Sequence, residues 1–238
     1  MGTTSVGPGA KVVCLGEALV DLVCEEPVAG LGEASAFVPR VGGSLVNIAV
    51  CAARFGARVE MLGGAGDDEW GRWLRDRVRG EGVGTERFVL VPGGGTSHAF
   101  VAVSDHGEPA FAFYGDPKRP AAYADADIEP ALAGPPGVLV VGSDTLIGER
   151  EREVTLGAAD LARERGWEVV CDPNLRPNRW ASEEEMLATV RELVARATLV
   201  KCNHTEAMPL AGREGEREAA LGLLELGPRA AAVTLGAR

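Results

Sequence analysis

Two short motifs near the start of the chain carry side chains suited to binding hydroxyl groups. The glycine pair Gly42-Gly43 precedes a helical pattern that contains Asn47, whose side-chain amide offers both donors and acceptors. Paired glycines let a backbone approach a ligand closely. Asp21 follows the first apolar run, where an acceptor-only carboxylate suits recognition of a sugar diol. A tight turn explains the glycine pair alone, and a helix cap or solvated turn explains Asp21 alone.

Two further polar clusters follow later apolar runs. Asp172-Pro173-Asn174-Leu175-Arg176 comes after one run, and Asn203-His204-Thr205-Glu206 comes after the next, just beyond Lys201. Polar clusters at successive strand ends are hard to explain by folding alone, because the carboxyl ends of parallel strands are where ligands bind. Arg176 and Lys201 are cationic neighbours for a ligand, although a structural salt bridge explains either residue equally well.

The spacing of apolar residues predicts the elements that position these clusters. Short apolar runs ended by polar or glycine residues are typical of buried strands, and segments with helical spacing separate them. We predict strands at 11–15, 58–62, 138–141, 168–171, 198–201 and 230–235, and helices at 45–55, 68–80, 149–165, 183–197 and 217–226. Such alternation predicts an α/β fold, a three-layer sandwich with a mainly parallel central sheet.

Two segments, at about 18–41 and 97–115, interrupt this alternation. Residues 99–103 and 110–114 read as strands, and Asp105-His106-Gly107-Glu108 between them is a hairpin turn signal. We predict that both segments form a small antiparallel β lid at the carboxyl side of the main sheet, with Phe111 and Phe113 on one face. The structural alternative is a decorated sheet edge.

Length, composition and charge exclude several classes of protein. With 238 residues and 46% hydrophobic content, the chain can bury the core of one large domain, placed at 11–238 after a flexible leader at 1–10. A net charge of -11 excludes nucleic acid as the main partner. The five cysteines are isolated and lack C-x-x-C spacing, which indicates reduced thiols. Without an apolar leader or a membrane-length run, we expect a cytoplasmic protein with no membrane partner.

Together the motifs resemble the ribokinase-like (PfkB-type) carbohydrate kinase family, over Val12 to Arg238. The family's N-terminal signature is similar to residues 42–49, followed by Arg54-Phe55-Gly56 and residues 63–68. The order and spacing of these elements are specific, although each alone is common. Residues 172–176 with Trp180 look most like the fructokinase and 2-keto-3-deoxygluconate kinase branches, and residues 141–146 also look fructokinase-like. Residues 115–122 resemble the segment after the lid, without a clear sugar-contacting arginine.

The resemblance implies an ATP-dependent kinase that transfers the γ-phosphoryl group to a sugar hydroxyl, with Mg²⁺ as the metal. Fructose is the leading substrate, 2-keto-3-deoxygluconate is the next, and ribose or a nucleoside is further behind. A homodimer through the β lid is the expected partnership. The implied substrate residues are Asp21, Gly42, Gly43 and Asn47, with Arg176 as a cationic neighbour. The implied nucleotide residues are Asn203, Glu206, Thr234 and Gly236, with Lys201 nearby; Glu206 would meet the metal through water.

The resemblance is incomplete at the end of the chain. Family members carry a later glycine-rich turn ending in Asp, where a helix N-terminus holds the transferred phosphate and the Asp deprotonates the hydroxyl. No such motif follows Gly236, so we expect the catalytic base beyond Arg238 and the 238-residue chain to be inactive alone. Gly64-Ala65-Gly66-Asp67 has the same residue pattern as this motif, but it follows the second predicted strand and belongs to the N-terminal signature. We interpret Asp67 as a cap or structural turn.

Other functions remain open at this level. A sugar-binding pseudokinase or an inactive truncated fragment is the non-enzyme alternative. A dinucleotide-binding oxidoreductase is a lesser one, because Gly64-Ala65-Gly66 lacks the third fingerprint glycine. The absence of G-x-x-x-x-G-K-[ST] excludes a P-loop NTPase, and three scattered histidines give little support to a metal hydrolase.

Overall fold

A seven-stranded parallel sheet forms the centre of the computed structural model, which describes residues 9–107, 109–115 and 125–236. A second sheet has four strands. The strands in chain order are β1 (Lys11–Glu17), β2 (Leu19–Val23), β3 (Val38–Gly42), β4 (Arg58–Gly66), β5 (Phe88–Val91), β6 (His98–Val103), β7 (Pro109–Tyr114), β8 (Val138–Gly142), β9 (Glu168–Asp172), β10 (Leu199–Asn203) and β11 (Ala230–Thr234). The main sheet runs β11-β10-β9-β8-β1-β4-β5, so β1 lies between β8 and β4.

Helices cover both faces of the main sheet and divide the core into two apolar clusters. Along β1, Val13 and Leu15 belong to one cluster, whereas Cys14 belongs to the other. This alternation buries the strand on both faces and confirms the predicted three-layer α/β fold. The described helices are α1 (Ser44–Arg54), α2 (Glu69–Gly80), α3 (Asp125–Ala131), α4 (Glu149–Glu164), α5 (Glu183–Val194), α6 (His204–Ala211) and α7 (Glu216–Glu225). Among these helices, none has the length and apolar character needed to cross a membrane.

The four-stranded sheet, here called the small sheet, has the order β3-β2-β6-β7 and lies in the two segments predicted from alternation. The predicted antiparallel pairing is correct for β2 with β3 and for β6 with β7. It is wrong at the centre, where β2 and β6 run parallel. The reason is topological: β2 continues from β1 and β6 follows β5, and strands entering from the same edge of a parallel sheet share a direction. Phe111 and Phe113 do share a face, with ring centroids 6.0 Å apart.

The predicted elements differ from the structure mainly at their ends. Strand β4 continues to Gly66, although its glycines suggest a turn after Leu62. Gly63 and Gly64 have φ of 127° and 150°, and a Cβ there would come within 2.0 Å of Gly16 O and 1.9 Å of Val89 O. These glycines therefore let neighbouring strands approach closely and do not end β4. The turn residue Glu108, residues 1–8 of the predicted leader, and residues 116–122 of the segment after the lid lie outside the described residues.

Helix α2 begins after Asp68, which corrects the interpretation of Asp67 as a cap. The Asp68 carboxylate accepts hydrogen bonds from Gly71 N at 2.8 Å, Thr96 N at 2.8 Å and Thr96 Oγ1 at 2.6 Å. Asp67 instead forms an ion pair with Arg72 at 2.8 Å, and both side chains are about half exposed. Asp68 thus joins the start of α2 to the loop that leads into β6.

We expect Asp68→Ala to lower the free energy of unfolding by about 1–3 kcal/mol, because the cap and two loop hydrogen bonds are lost. Burial alone would raise the pKa of Asp68, but the hydrogen bonds from Thr96 and Gly71 outweigh it and lower the pKa. The stabilisation is therefore present above the ordinary pKa and declines as the pH falls below it. Urea denaturation at neutral and acidic pH measures both effects. Asp67→Ala is the matched control, expected to cost about 0–1 kcal/mol; equal losses would refute the assignment.

Candidate sugar and nucleotide site

A cavity of about 180 Å³ lies at the carboxyl end of β1, between the main sheet and the small sheet. Asp21, Gly43, Asn47 and Arg176 line it, so the structure brings together four of the five residues predicted to contact substrate. Strands β6 and β7 contribute Ala99, Phe111 and Phe113 to the same walls. We call this space the β1 cavity.

Gly42 and Gly43 shape this cavity by leaving room for their neighbours. A Cβ on Gly42 would stand 2.5 Å from Cγ of Asp21, so the fifth predicted residue makes space for the carboxylate instead of lining the cavity. Gly43 has φ of 103°, which favours glycine, and a Cβ there would stand 2.5 Å from Glu17 O. The pair therefore allows the start of α1 to rest directly against β1 and β2.

The carboxylate of Asp21 is positioned by β2 and half-buried at the cavity wall. Burial raises the pKa of Asp21 to about 6. A carboxylate that is ionised at neutral pH yet poorly hydrated is a strong acceptor for ligand hydroxyl groups. Asp21 therefore lies in a cavity wall with its carboxylate available as an acceptor, and its role in binding a hydroxyl group stays a prediction.

Glu17, at the end of β1, is a cavity residue that the sequence reasoning missed. Its Oε1 accepts hydrogen bonds from Ser44 N at 2.7 Å and Ser44 Oγ at 2.9 Å, while Oε2 is buried with no hydrogen-bond partner among the described residues. Burial and the charge of Asp144 raise the pKa of Glu17 to about 7, although the Ser44 hydrogen bonds oppose this. Glu17 therefore anchors the first residue of α1. The predicted strand ends at Leu15, so the sequence places the Glu17 carboxylate beyond the strand. The structure places it inside β1.

A second wall of the β1 cavity comes from residues after β8 and β9. Asp144 forms an ion pair with Arg179 at 2.8 Å, and their side chains are only 11% and 15% exposed. Arg176 lines the same wall and donates to Leu175 O at 3.0 Å. Asn174, which follows β9, has a positive φ of 44° and also lines the cavity. Asp144 and Arg179 were not predicted as site residues, since the pairing joins residues far apart in the sequence.

The predicted nucleotide residues lie apart from the β1 cavity, at the carboxyl ends of β10 and β11. Asn203 and Thr234 are register partners across these strands, and Gly236 follows with φ of 70°. Lys201 forms an ion pair with Asp172 at 3.1 Å, which supports the structural interpretation of this lysine. Thr234 Oγ1 donates to Cys202 O at 3.4 Å.

Glu206 is buried and holds three segments together. Its Oε2 accepts from Asn203 N at 3.0 Å, and the Asn203 side chain accepts from Glu206 N, forming a capping box at the start of α6. Its Oε1 accepts from Leu175 N at 2.9 Å, in the loop after β9. The carboxylate thus links this loop to the end of β10. Within residues 9–107, 109–115 and 125–236, no cluster of three or more His, Cys, Asp or Glu side chains is arranged to hold a metal.

Residues 10–238 match the family model described as pfkB family carbohydrate kinase. Fructokinase-1 of Oryza sativa subsp. japonica is 35% identical over 206 residues, which cover 87% of this chain and 64% of that protein. This chain therefore spans less than two thirds of that relative's length.

Solved structures show the same fold. A PfkB protein from Polaromonas sp. JS666 superposes with a TM-score of 0.85 and 29% identity, over 96% of this chain and 77% of that one. The fructokinase from Vibrio cholerae O395, in its fructose, ADP and calcium ion bound form, gives a TM-score of 0.83 and 28% identity, over 96% and 71%.

We expect Glu17→Gln to weaken the pH dependence of stability. Because the pKa of Glu17 is raised to about 7, the folded chain binds this proton more tightly than the unfolded chain. The resulting stabilisation is complete below the ordinary glutamate pKa and is lost as the pH rises toward 7, by on the order of 1–3 kcal/mol. Chemical denaturation at several pH values between 4 and 8 gives the slope. Glu153→Gln, whose side chain is 62% exposed, should keep the wild-type slope; an unchanged slope in Glu17→Gln would contradict the assignment.

Proposed function

The chain belongs to the pfkB family of carbohydrate kinases, and from this membership we propose that it supplies the sugar site and part of the nucleotide site of an ATP-dependent sugar kinase. The convergence of Asp21, Gly43, Asn47 and Arg176 on the β1 cavity carries the proposal. The reaction is transfer of the ATP γ-phosphoryl group to a sugar hydroxyl. Relatives named fructokinase support fructose as the leading substrate.

The residues of the β1 cavity have distinct proposed roles. Asp21 accepts hydrogen bonds from a pair of sugar hydroxyls, and Asn47 both donates to and accepts from the ring substituents. Gly43 lets the backbone at the start of α1 reach the sugar. Phe111 and Phe113 restrict water on the side of the small sheet, which strengthens the polar contacts inside. Such positioning is the main contribution a protein makes to phosphoryl transfer.

The nucleotide is proposed to lie at the ends of β10 and β11, against Asn203, Thr234 and Gly236. When bound, Mg²⁺ would neutralise phosphate charge during transfer. Magnesium keeps several waters and is commonly held through phosphates and one or two carboxylates. This fits Glu206, whose oxygens already accept backbone hydrogen bonds and whose remaining lone pairs suit contact through water. The Lys201 side chain would have to break its ion pair with Asp172 before it could contact a phosphate.

Arg176 supports a second substrate, 2-keto-3-deoxygluconate, which carries a carboxylate. Arg179 is neutralised by Asp144, whereas Arg176 has no carboxylate within ion-pair distance in the part of the chain that the structure describes. A guanidinium in this state favours an anionic sugar. Comparing fructose with 2-keto-3-deoxygluconate in equilibrium binding decides between these substrates.

A homodimer through the small sheet is also proposed. Val103, Phe111 and Tyr114 of β6 and β7 are 39%, 54% and 60% exposed, and such exposed apolar groups often mark protein contacts. Sedimentation of the wild type against Phe111→Ser tests this: the variant should sediment as a monomer if the small sheet is the contact.

We expect Asp21→Asn to weaken sugar binding by about 2–4 kcal/mol, the scale for losing charged hydrogen bonds at a partly buried site. Because the pKa of Asp21 is about 6, wild-type affinity should rise as the pH increases through 6, while Asp21→Asn should show no such rise. Isothermal titration with fructose measures both. Asp160→Asn, at a half-exposed residue that pairs with Arg196 and does not line the β1 cavity, is the matched control and should bind as the wild type does. Unchanged affinity in Asp21→Asn would remove this residue from the site.

We expect the 238-residue chain alone to bind sugar but not to transfer phosphate at a useful rate, because the family's base motif is not found in it. A general base typically contributes about 10²–10⁴-fold. Sugar-dependent ADP formation by the purified chain is the measurement, with sugar binding as the control for a folded site. Rapid turnover that is abolished by replacing a carboxylate of this chain, while sugar binding is retained, would place the base within these residues. Sugar binding without turnover is the expected result, and it equally fits the pseudokinase alternative.

A further inference from the structure

A second cavity, of about 380 Å³, lies between β3, α1 and α2. Three guanidinium groups line it: Arg40 from β3, Arg54 from α1 and Arg77 from α2. Glu81 is the one carboxylate among its lining residues, and Trp73 adds an aromatic wall. We call this cavity the arginine groove. Such a concentration of positive charge contrasts with the rest of a chain whose net charge is -11.

The ion pairs in the arginine groove are weak. Arg54 pairs with Glu81 at 2.8 Å, with side chains 65% and 37% exposed, and Arg40 pairs with the equally exposed Glu25. Exposed pairs of this kind contribute about 0–1 kcal/mol each. A phosphate group, which accepts two parallel hydrogen bonds from a guanidinium, can therefore replace these carboxylates at little cost.

Arg77 is the cation of the groove that has no carboxylate partner among the described residues. Its Cζ lies 5.5 Å from the centre of the Trp73 ring, a cation–π contact that favours this position of the exposed guanidinium by about 0.5–1 kcal/mol. Part of the Trp73 ring faces the groove beside it. An organic anion would find a fixed positive group and an apolar surface next to each other here.

We propose that the arginine groove binds a small organic phosphate, with the phosphate on Arg77 and Arg54 and the organic part against Trp73. Phosphate is favoured over carboxylate because the lining carries three guanidinium groups and one carboxylate. A phosphate monoester, with a charge of about -1.5 to -2 at neutral pH, balances this excess better than a single carboxylate does. This site is separate from the β1 cavity in all of its charged residues.

One residue connects the two cavities. Asn47 lines the β1 cavity and also the arginine groove, from the exposed first turns of α1. An anion that moves Asn47 therefore alters a residue of the proposed sugar site. By linkage, the anion and the sugar would change one another's affinity by the same factor. This consequence rests on the proposed function, whereas anion binding itself does not.

Phenyl phosphate is a suitable probe, because its ring can lie against Trp73 and it does not resemble a sugar. Isothermal titration of the 238-residue chain at constant ionic strength should show one-site binding. We expect Arg77→Gln to weaken it about tenfold or more, the scale for losing a charged hydrogen bond. Arg77→Lys, which keeps the charge without the fork, should weaken it less.

Two matched variants locate the binding. Arg72→Gln removes a cation from the same helix that pairs with Asp67 outside the groove, and Arg176→Gln removes one from the β1 cavity. Both should bind phenyl phosphate as the wild type does. The proposal is overturned by no binding at millimolar concentration, by equal losses in Arg77→Gln and Arg72→Gln, or by a loss confined to Arg176→Gln. Benzoate binding as tightly as phenyl phosphate would also overturn it, in favour of a carboxylate site.

Titrating fructose with and without saturating phenyl phosphate tests the connection through Asn47. A changed fructose affinity that is restored in Arg77→Gln supports it, and an unchanged affinity removes the connection while the groove stands. Fructose failing to bind in either condition counts against the proposed function and not against the groove.

Discussion

The structure depends on how closely α1 and β4 approach the end of β1. A Cβ on Gly16 would lie 2.5 Å from Leu45 Cγ, and one on Gly63 would lie 2.0 Å from Gly16 O. A Cβ on Gly43 would lie 2.5 Å from Glu17 O. Because no side chain separates these segments, α1 begins directly on β1, and Asn47 is carried to within reach of Asp21. Without this close packing, Asp21 of β2 and Asn47 of α1 would not line the same cavity.

Close packing has an electrostatic consequence at the same point. Glu17 and Asp21 both face poorly hydrated surroundings, and the pKa of each is raised, to about 7 and about 6. Arg179 compensates the charge of Asp144 nearby. The cavity thus keeps one carboxylate anchoring the helix and another available for a ligand. Because the pKa of each carboxyl group is raised, burying both costs stability as the pH rises.

The sequence alone predicted the alternation of strands and helices, because this follows from local patterns, but its substrate residues account for only four of the thirteen residues that line the β1 cavity. Strand β5 and helix α3 are too short to give a periodic signal, and α6 contains Pro209 in a run of mixed polarity. The parallel pairing of β2 with β6 depends on where both strands leave the main sheet. Glu17 was missed because its role depends on Ser44, 27 residues away.

Helix α1 is the element that both cavities share. Its first turn is fixed by Glu17, its exposed side carries Asn47 between the β1 cavity and the arginine groove, and its last turn carries Arg54. A rigid helix fixed at one end transmits a displacement at its other end better than a loop would, since its backbone hydrogen bonds keep the residues in register. If the arginine groove binds an anion as we propose, helix α1, held at its start by the Glu17–Ser44 hydrogen bonds, is the element through which that anion would affect the proposed sugar residue Asn47.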